Sequence, residues 1–355
     1  MKKIVLDCRL ISNQETGISR YSKEFIAIFV SLFGAKNISI ILQNGVDFET
    51  DVKVYKTDLY PFSMKDFFKF HKFLKDIDFD IYHSLFHVNS FFKVKNKKYI
   101  TTIHDIGYRF LDGYYAGKVP LADRFSFFNQ VGVFYYDFMI GKSLKNSDFV
   151  ISISEHTRDD VKNSFGYDSF VVTEGVNPIV DDMGDVSLPY EKNSFFLYVG
   201  NDRNNKNLEF LKEVYLESKT DKKLLMVGHS GKNIKKADKE IIYTGYVSDE
   251  ELAQLYKDCS AFVFPSTYEG FGLPVLEAIN FGAIVFSSNS ASLKEFGEYN
   301  VHYFDPCDKN SLKKLLENVD KFEFDELKRD VLFKKFSWQK AKEQVKSMYE
   351  KVLDE

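Results

Sequence analysis

The chain has 355 residues, of which 44% are hydrophobic and 28% are charged, and its formal net charge is −4. This length suits two domains with ordinary cores, and the interspersed charges argue against a nucleic-acid-binding protein, which normally carries a strong basic excess. The three cysteines, Cys8, Cys259 and Cys307, lie far apart and outside any metal-ligand spacing, so a reduced cytosolic setting fits best.

The N-terminal segment reads as the opening β–α unit of an α/β domain. Residues 3–7 (KIVLD) form a short apolar run, and an apolar, helix-like stretch follows from Ile18 to Phe33. Asp7 and Arg9 cut the first run far short of a signal peptide. No span approaches the roughly eighteen apolar residues of a transmembrane helix. We therefore expect a cytoplasmic protein without a transmembrane helix.

A dinucleotide-binding oxidoreductase begins with the same pattern, but it requires the sequence G-x-G-x-x-G directly after its first strand. Cys8, Arg9 and Leu10 occupy that position here. The sequence therefore argues against a dehydrogenase.

Strand-like and helix-like stretches then alternate, which favours a parallel, doubly wound sheet. Strands are predicted at Ile38–Leu42, Val52–Tyr55, Ile81–His83, Tyr99–Ile103, Phe149–Ile153 and Phe170–Thr173, and helices at Ser63–Lys75, Ala122–Leu144 and Glu155–Ser164.

Two histidines lie where predicted strands end. His83 (DIYHSLFH) and His104 (TTIHDIGY) would reach the crevice at the carboxyl edge of a parallel sheet. A lone histidine of this kind is more often a hydrogen-bonded structural residue than a catalytic one, so both interpretations stay open. The irregular stretch Gly107–Pro120 follows. Because long loops in compact domains are usually functional, an acceptor-facing role for it is a hypothesis.

A second α/β pattern restarts at Phe195–Gly200 (FFLYVG), after an acidic boundary stretch at Asp181–Glu191. The next loop carries Arg203 and Lys206, whose cations could neutralise a leaving diphosphate or simply be solvated. Further strands are predicted at Leu224–Gly228, Ile241–Gly245 and Ala283–Phe286, and helices from Ser248 to Lys257 and at Ser311–Asn318, Phe322–Phe336 and Trp338–Leu353.

Residues 262–278 (FVFPSTYEGFGLPVLEA) read as a strand, a loop and a helix with Pro274 in its first turn. The backbone N–H groups of Phe271, Gly272 and Leu273 should lie at the positive end of the helix dipole. Such a place suits a phosphate.

Two glutamates, Glu269 and Glu277, flank this anion site. Carboxylates beside an anion site make sense if they accept hydrogen bonds from hydroxyls, and a sugar and a ribose at the two ends of a diphosphate would supply them. The alternative is that Glu277 is an ordinary residue of a first helical turn, where the dipole favours glutamate.

The string EGFGLPVLE, from Glu269 to Glu277, resembles the signature of glycosyltransferase family 4, the retaining group 1 glycosyltransferases of bacteria, which have the GT-B fold. This resemblance implies that Glu269 contacts the donor sugar and Glu277 the ribose diol. It also implies that the N–H groups of Phe271, Gly272 and Leu273 hold the sugar and the diphosphate.

Shorter segments carry the same resemblance. Gly17 opens GISRY, which is similar to a family loop G-I-G-R-Y and implies donor binding, although serine replaces the second glycine. The resemblance places His104 of TIHD in the donor-sugar pocket, Arg203 and Lys206 at the diphosphate, and Val247 near the base. Arg203 lies closer to Lys206 than the family pattern expects.

The implied fold is α/β GT-B, in which two Rossmann-like, doubly wound parallel-sheet domains face across a cleft. The domains are predicted at residues 1–180, on the acceptor side, and 181–335, on the nucleotide-sugar side. Residues 336–355 are predicted to form a closing helix that packs back toward the first domain.

The implied function is that of a retaining glycosyltransferase. It would move a hexose from a UDP-, GDP- or dTDP-linked sugar to a glycan or lipid-linked saccharide acceptor in bacterial surface polysaccharide synthesis. No cofactor or metal is expected, because Lys206, Arg203 and a helix N terminus can stabilise the leaving diphosphate. The D-x-D pair of Asp78 and Asp80, a type that can hold a divalent ion, reads as a strand lead-in.

Two other functions stay open: a nucleotide-sugar epimerase or hydrolase of the same fold, and a catalytically silent partner subunit. The second class typically loses motif residues, whereas Glu269, Glu277, Lys206 and His104 are present. Peripheral membrane contact is also open, because the Lys/Phe-rich stretches 67–75 and 91–98 would suit either an anionic bilayer or water.

Overall fold

The computed structural model of the chain describes residues 2–13, 16–111, 126–177, 186–228, 231–236 and 239–354, with residues 126–130 described by their backbone alone. The chain divides into two compact units. The first comprises Met1–Glu174 and Trp338–Glu355, and the second comprises Gly175–Ser337. These divisions fall a few residues from the domain boundaries predicted after residues 180 and 335.

The first unit contains a parallel sheet of seven strands in the order β3-β2-β1-β4-β5-β6-β7. The strands are β1 (Ile4–Asp7), β2 (Ile38–Gln43), β3 (Lys53–Thr57), β4 (Ile81–Ser84), β5 (Lys98–Ile103), β6 (Phe149–Ser152) and β7 (Phe170–Val171), and the helices are α1 (Gly17–Phe33), α2 (Met64–Lys75), α3 (Ser126–Asn146) and α4 (Glu155–Phe165). The central strands are buried throughout their length, as expected for a sheet covered on both faces.

The second unit contains another seven-stranded sheet, in the order β10-β11-β9-β8-β12-β13-β14. The strands are β8 (Phe195–Val199), β9 (Lys223–Val227), β10 (Ile234–Lys236), β11 (Lys239–Gly245), β12 (Ala261–Phe264), β13 (Val285–Ser288) and β14 (Val301–Phe304), and the helices are α5 (Leu208–Glu217), α6 (Asp249–Asp258), α7 (Leu273–Asn280), α8 (Lys309–Glu317) and α9 (Glu326–Lys335). All strand pairs are parallel except β10 with β11. The predicted α/β class with two doubly wound sheets is confirmed.

Four elements of the second unit differ from the sequence prediction. Helix α5 and strands β10 and β14 are absent from that prediction, and β10 is exposed and basic. The helix predicted over Phe322–Phe336 begins only at Glu326, because the side chain of Asp325 accepts hydrogen bonds from the N–H groups of Leu327 and Lys328 and caps the helix there.

The loop after β1 contains a buried ion-pair network in the place where a dehydrogenase has its glycines. The Arg9 guanidinium donates two hydrogen bonds of 2.8 Å to the Asp7 carboxylate, and it also pairs with Asp66 at the start of α2. The Tyr82 hydroxyl donates to Asp7 at 2.6 Å. Arg9, Asp7 and Asp66 are all buried. This loop is therefore filled by side chains, which is consistent with the sequence argument against a dinucleotide fingerprint.

The last helix, α10 (Trp338–Asp354), belongs to the first unit. Tyr349 packs edge-on against Phe29 of α1, with ring centroids 5.0 Å apart, and its hydroxyl lies 2.9 Å from Nδ1 of His83. The Nε2 atom of His83 lies 3.0 Å from the Thr102 hydroxyl. His83 is therefore a structural residue that joins α10 to the sheet. No helix in the described residues is long and apolar enough to span a membrane.

Burial lowers the pKa of His83 to about 3. Because an unfolded histidine titrates near 6.5, the unfolded state binds more protons below that pH, and His83 should cost stability as the pH falls from 6.5 toward 3. We expect the free energy of unfolding to fall by up to about 1.4 kcal/mol per pH unit from this group. Urea unfolding of the wild type and of His83→Asn at pH 7 and pH 5 measures this slope.

Tyr349→Phe is the matched control, because it removes one hydrogen bond but keeps the histidine. It should lower stability by about 1 kcal/mol at both pH values and preserve the slope that His83→Asn reduces. Equal slopes in the wild type and His83→Asn would refute this account.

Candidate active site

The candidate site of the second unit lies at the carboxyl edge of its sheet, where the strand order changes direction. Strand β8 pairs with β9 on one side and with β12 on the other. Ligands of open α/β sheets bind at such a topological switch point. The loops that follow β8 and β12 carry Lys206 and Glu269, respectively, so the topology brings together residues that are distant in sequence.

Lys206 and Glu269 form an ion pair, with Nζ and Oε1 2.6 Å apart. Their side chains are only 13% and 15% exposed. The ammonium also lies 5.0 Å from the ring centroid of Phe264, the last residue of β12. A pair shielded in this way interacts more strongly than a surface pair. The sequence predicted both residues for the site, and the structure places them in contact.

Hydrogen bonds to neighbouring segments fix the two loops. The Thr267 N–H donates to the carbonyl of Asn205 at 2.8 Å, and the Asn205 side-chain amide donates to the carbonyl of Tyr268 at 3.0 Å. The buried Ser292 hydroxyl lies 2.9 Å from both the Glu269 and the Phe271 carbonyls. The ion pair therefore sits between loops that the backbone itself holds in place.

Burial and the nearby charge of Glu269 raise the pKa of Tyr198, on β8, well above its ordinary value. Its neutral hydroxyl donates to the Asn201 carbonyl at 2.8 Å, which anchors the start of the same loop.

Arg203 is exposed, and its guanidinium makes no hydrogen bond or ion pair with the described part of the chain. The structure thus distinguishes the two predicted cations: Lys206 is paired with Glu269, while the Arg203 guanidinium has no partner in the described residues.

Helix α7 begins directly after the glutamate loop. Gly272 precedes it with φ of 112°, and Pro274 lies in its first turn. The ring of the buried Phe271 packs against Phe296 and Phe336, with centroids 5.5 and 5.7 Å away. The first N–H groups of a helix have no partner within it, so those of this turn are suited to bind an anion. Glu277 is half-buried one turn further along α7.

Neighbouring loops extend the same edge toward Val247. The Gly200 N–H donates to the Val227 carbonyl at 3.1 Å, and the Gly228 N–H donates to the Gly245 carbonyl at 2.8 Å. A Cβ atom on Gly228 would lie 2.9 Å from the Gly200 carbonyl oxygen, so glycine is required for this close approach. Val247 is half-buried in the following loop, between β11 and α6.

His104 and Gly17 lie in the first unit. His104 is buried, its Nε2 donates to the Leu85 carbonyl at 2.9 Å, and its Nδ1 lies 3.7 Å from Glu174 Oε1. Gly17 is the exposed first residue of α1, capped by Thr16. Tyr21 of the same helix packs edge-on against the His104 ring at 4.6 Å.

Sequence reasoning missed His87, which follows β4. Its Nε2 accepts a hydrogen bond of 3.2 Å from the Asp105 N–H, and its ring centroid lies 5.5 Å from that of His104. His87 could have been identified from its position three residues after the end of β4, in the same segment, DIYHSLFH, that contains His83. The hypothesis about Gly107–Pro120 falls mostly on residues 112–120, which lie outside the described residues.

Among the described residues, no group of three or more His, Cys, Asp or Glu side chains is arranged to hold a metal ion. The D-x-D carboxylates are engaged elsewhere: Asp78 pairs with the Lys3 ammonium, and Asp80 accepts a bond of 2.8 Å from the Lys3 N–H. Cys8 and Cys259 are buried thiols, and Cys307 is an exposed one.

Solved structures of GT-B enzymes share this architecture. Sucrose-phosphate synthase from Thermosynechococcus elongatus aligns over 100% of both chains with a TM-score of 0.73 and 17% identity. The lipopolysaccharide outer core galactosyltransferase WaaB aligns over 98% of this chain and 100% of its own, with a TM-score of 0.67 and 14% identity. The protein therefore has the GT-B fold.

Residues 181–335 match the family model of group 1 glycosyl transferases. That range includes Lys206, Glu269 and α7, so the resemblance of the motif to this family is confirmed and extends over the second unit.

Curated relatives match over part of their length. The serotype-specific mannosyltransferase WbdA of Escherichia coli is 41% identical over 103 residues, which are 28% of this chain and 13% of WbdA. The O-antigen chain mannosyltransferase B of Escherichia coli is 29% identical over 245 residues, which are 62% of this chain and 60% of that protein. The O-antigen chain mannosyltransferase RfbU of Salmonella typhimurium is 26% identical, covering 52% and 55%.

Gly17 and Gly272, the two glycines predicted to bind the donor, differ in whether their surroundings leave room for a Cβ atom. Their alanine variants therefore form a matched pair. Gly272→Ala places a Cβ 2.5 Å from Leu293 Cδ2 at a positive φ, so we expect a loss of roughly 1–3 kcal/mol of stability. At Gly17 nothing lies within 4 Å of the added atom and φ is not positive, so Gly17→Ala should stay within about 0.5 kcal/mol of the wild type. Urea unfolding compares them, and equal losses would contradict the described geometry.

Proposed function

We propose that the protein is a retaining glycosyltransferase that moves a mannosyl residue from a nucleotide-linked donor to a glycan or lipid-linked saccharide acceptor in bacterial surface polysaccharide synthesis. The observation that carries the proposal is the shielded Lys206–Glu269 pair at the switch point, next to the N terminus of α7. The names of the curated relatives support mannose as the hexose and O-antigen as the kind of product.

The donor would lie along the carboxyl edge of the second sheet. The N–H groups of Phe271, Gly272 and Leu273 would donate to the sugar and diphosphate, where the helix dipole favours negative charge. Glu277 would accept hydrogen bonds from the ribose diol, and Val247 would contact the base. Glu269 would accept bonds from hydroxyls of the transferred sugar.

Bond cleavage would leave the electron pair of the C1–O bond on the diphosphate and positive charge on the sugar ring. Lys206 lies within reach of the loop that binds the sugar and can stabilise the new negative charge, and the exposed Arg203 can add a second cation. A donor phosphate oxygen would take the proton of the acceptor hydroxyl, which then attacks C1 on the face that the diphosphate leaves. That order gives retention without a covalent intermediate.

The family resemblance assigns His104, in the first unit, to the donor-sugar pocket. Because its Nε2–H donates to the Leu85 carbonyl, Nδ1 is the ring nitrogen that remains for a sugar hydroxyl. Gly17 is assigned to donor binding by resemblance alone. With protein cations at the diphosphate, no divalent metal is required, so activity should persist in EDTA.

Two alternatives differ in what they need. An epimerase or hydrolase would convert the donor without an acceptor, whereas the proposed transferase requires one. A silent partner subunit would not turn over at all. The intact Lys206–Glu269 pair favours an active enzyme over the silent subunit.

A panel of GDP-, UDP- and dTDP-linked mannose and glucose tests donor binding by calorimetry. We expect one nucleotide mannose to bind and Glu277→Ala to weaken it roughly 10- to 100-fold, because the ribose diol loses a charged acceptor. Glu298→Ala, which removes an exposed glutamate of the same unit, should bind like the wild type. Failure of every sugar nucleotide to bind the wild type would refute the proposed donor class.

Lys206→Ala should lower kcat by about 100-fold or more, because it removes a cation where charge develops, and Lys206→Arg should recover part of the loss. Lys309→Ala is the control, since Lys309 pairs with Glu213 and Glu217 on the surface of the same unit. Steady-state kinetics with an O-antigen-type saccharide acceptor measures kcat of the Lys206 variants and of the control.

Proton NMR of the first product should show the donor's anomeric configuration, and inversion would exclude the proposed retaining mechanism.

A further inference from the structure

Five large apolar side chains are exposed on one face of the first unit. They belong to α2, to the loop after β4 and to α3, and their exposed fractions are 61% for Met64, 55% for Phe68, 46% for Phe92, 74% for Phe134 and 47% for Phe138. Single exposed apolar residues are ordinary, whereas a contiguous group marks an interaction surface.

Ring contacts show that the group is contiguous. Phe67 has its ring centroid 4.7 Å from that of Phe68 and 6.2 Å from that of Phe138. Phe91 lies 4.9 Å from Phe92 and 5.9 Å from Phe138 by the same measure. Met64 and Phe134 each lie one helical turn before an exposed phenylalanine. The half-buried rings of Phe67 and Phe91 thus connect α2, the loop and α3.

Lysines surround this apolar group. We call the whole the Phe/Lys surface; its lysines are Lys65, Lys69, Lys72 and Lys75 on α2 and Lys142 and Lys145 on α3. None of the six forms an ion pair with the described part of the chain. Lys142 lies 4.8 Å from the ring centroid of Phe91, so charge and aromatic surface are interleaved.

The carboxylates nearest to this surface already have partners. Asp66 is buried against Arg9, Asp137 interacts with Arg109 and Tyr108, and Asp148 pairs with Lys93. Asp76, at the C-cap of α2, is the exposed acid of that helix. The surface therefore presents positive charge around an apolar centre.

We propose that the Phe/Lys surface binds an anionic lipid bilayer. Phenylalanine and methionine side chains enter the boundary between headgroups and acyl chains, while lysines extend their ammonium groups to the lipid phosphates. A second copy of this chain is a poorer occupant, because a two-fold contact would bring the same lysines against one another. The proposal goes beyond the transferase activity and does not depend on it, since binding needs neither donor nor acceptor.

Vesicle co-sedimentation tests the proposal with the full chain and no sugar nucleotide. Wild type should bind vesicles of phosphatidylglycerol mixed with phosphatidylcholine and release from them at high salt, because the lysine contribution is screened. It should bind vesicles of pure phosphatidylcholine at least about tenfold more weakly, because each lysine that contacts anionic lipid should raise the partition coefficient roughly fivefold.

Two double variants separate the two parts of the surface. Lys69→Glu with Lys72→Glu should lower the partition coefficient for anionic vesicles by at least about tenfold, and Phe68→Ser with Phe92→Ser should lower it by a similar factor. All four side chains are exposed, on α2 and on the loop after β4. The thermal unfolding midpoint of both double variants should therefore equal that of the wild type.

Matched controls lie in the second unit. Lys235→Glu with Lys236→Glu makes the same charge change on the exposed strand β10, and Leu327→Ser removes a leucine that is 77% exposed on α9. Both should bind vesicles like the wild type. Equal loss in the controls, or equal binding to neutral and anionic vesicles, would overturn the proposal. So would a dimer in light scattering that Phe68→Ser with Phe92→Ser dissociates, because the occupant would then be a second copy.

Discussion

The ion pair between Lys206 and Glu269 is the interaction on which the second unit's site depends. A largely buried pair repays its desolvation only when its geometry is fixed, and here the fixing comes from the sheet. Parallel pairing of β8 with β12 sets the two loops side by side, and Asn205, Thr267 and Ser292 hold their backbones. In the proposed transferase, a donor diphosphate would therefore meet a cation already in position, with little reorganisation at the moment of reaction.

The strands with continuous apolar runs were predictable because both faces of a parallel sheet are buried. β8 (FFLYV) and β12 (AFVF) show this pattern, and the helices begin at residues with recognisable caps, such as Ser248 and Ser154. β10 was not predictable, because Ile-Lys-Lys has no apolar face and becomes a strand only by pairing with β11 at the sheet edge.

Some features of the candidate site were likewise predictable from local sequence, and others were not. The motif EGFGLPVLE predicted the turn that begins α7, since Gly272 has a positive φ and Pro274 suits a first helical turn. The Asn205 and Ser292 contacts were invisible, because they join segments through the fold rather than through a pattern. The roles of His83 and His87 could not be separated from sequence either: only the structure shows that His83 contacts Tyr349 of α10, while His87 lies beside His104.

The discontinuity of the first unit bears on how the chain is made. During synthesis, the strands up to β7 leave the ribosome long before α10, and the whole second unit is translated in between. Phe29 and His83 therefore cannot contact Tyr349, which lies 266 residues after His83, until the end of the chain has been synthesised. Such non-local contacts are slow to form, and domains otherwise fold as they emerge. The nascent first unit thus leaves the side chains that contact α10 uncovered until its own final helix has been made.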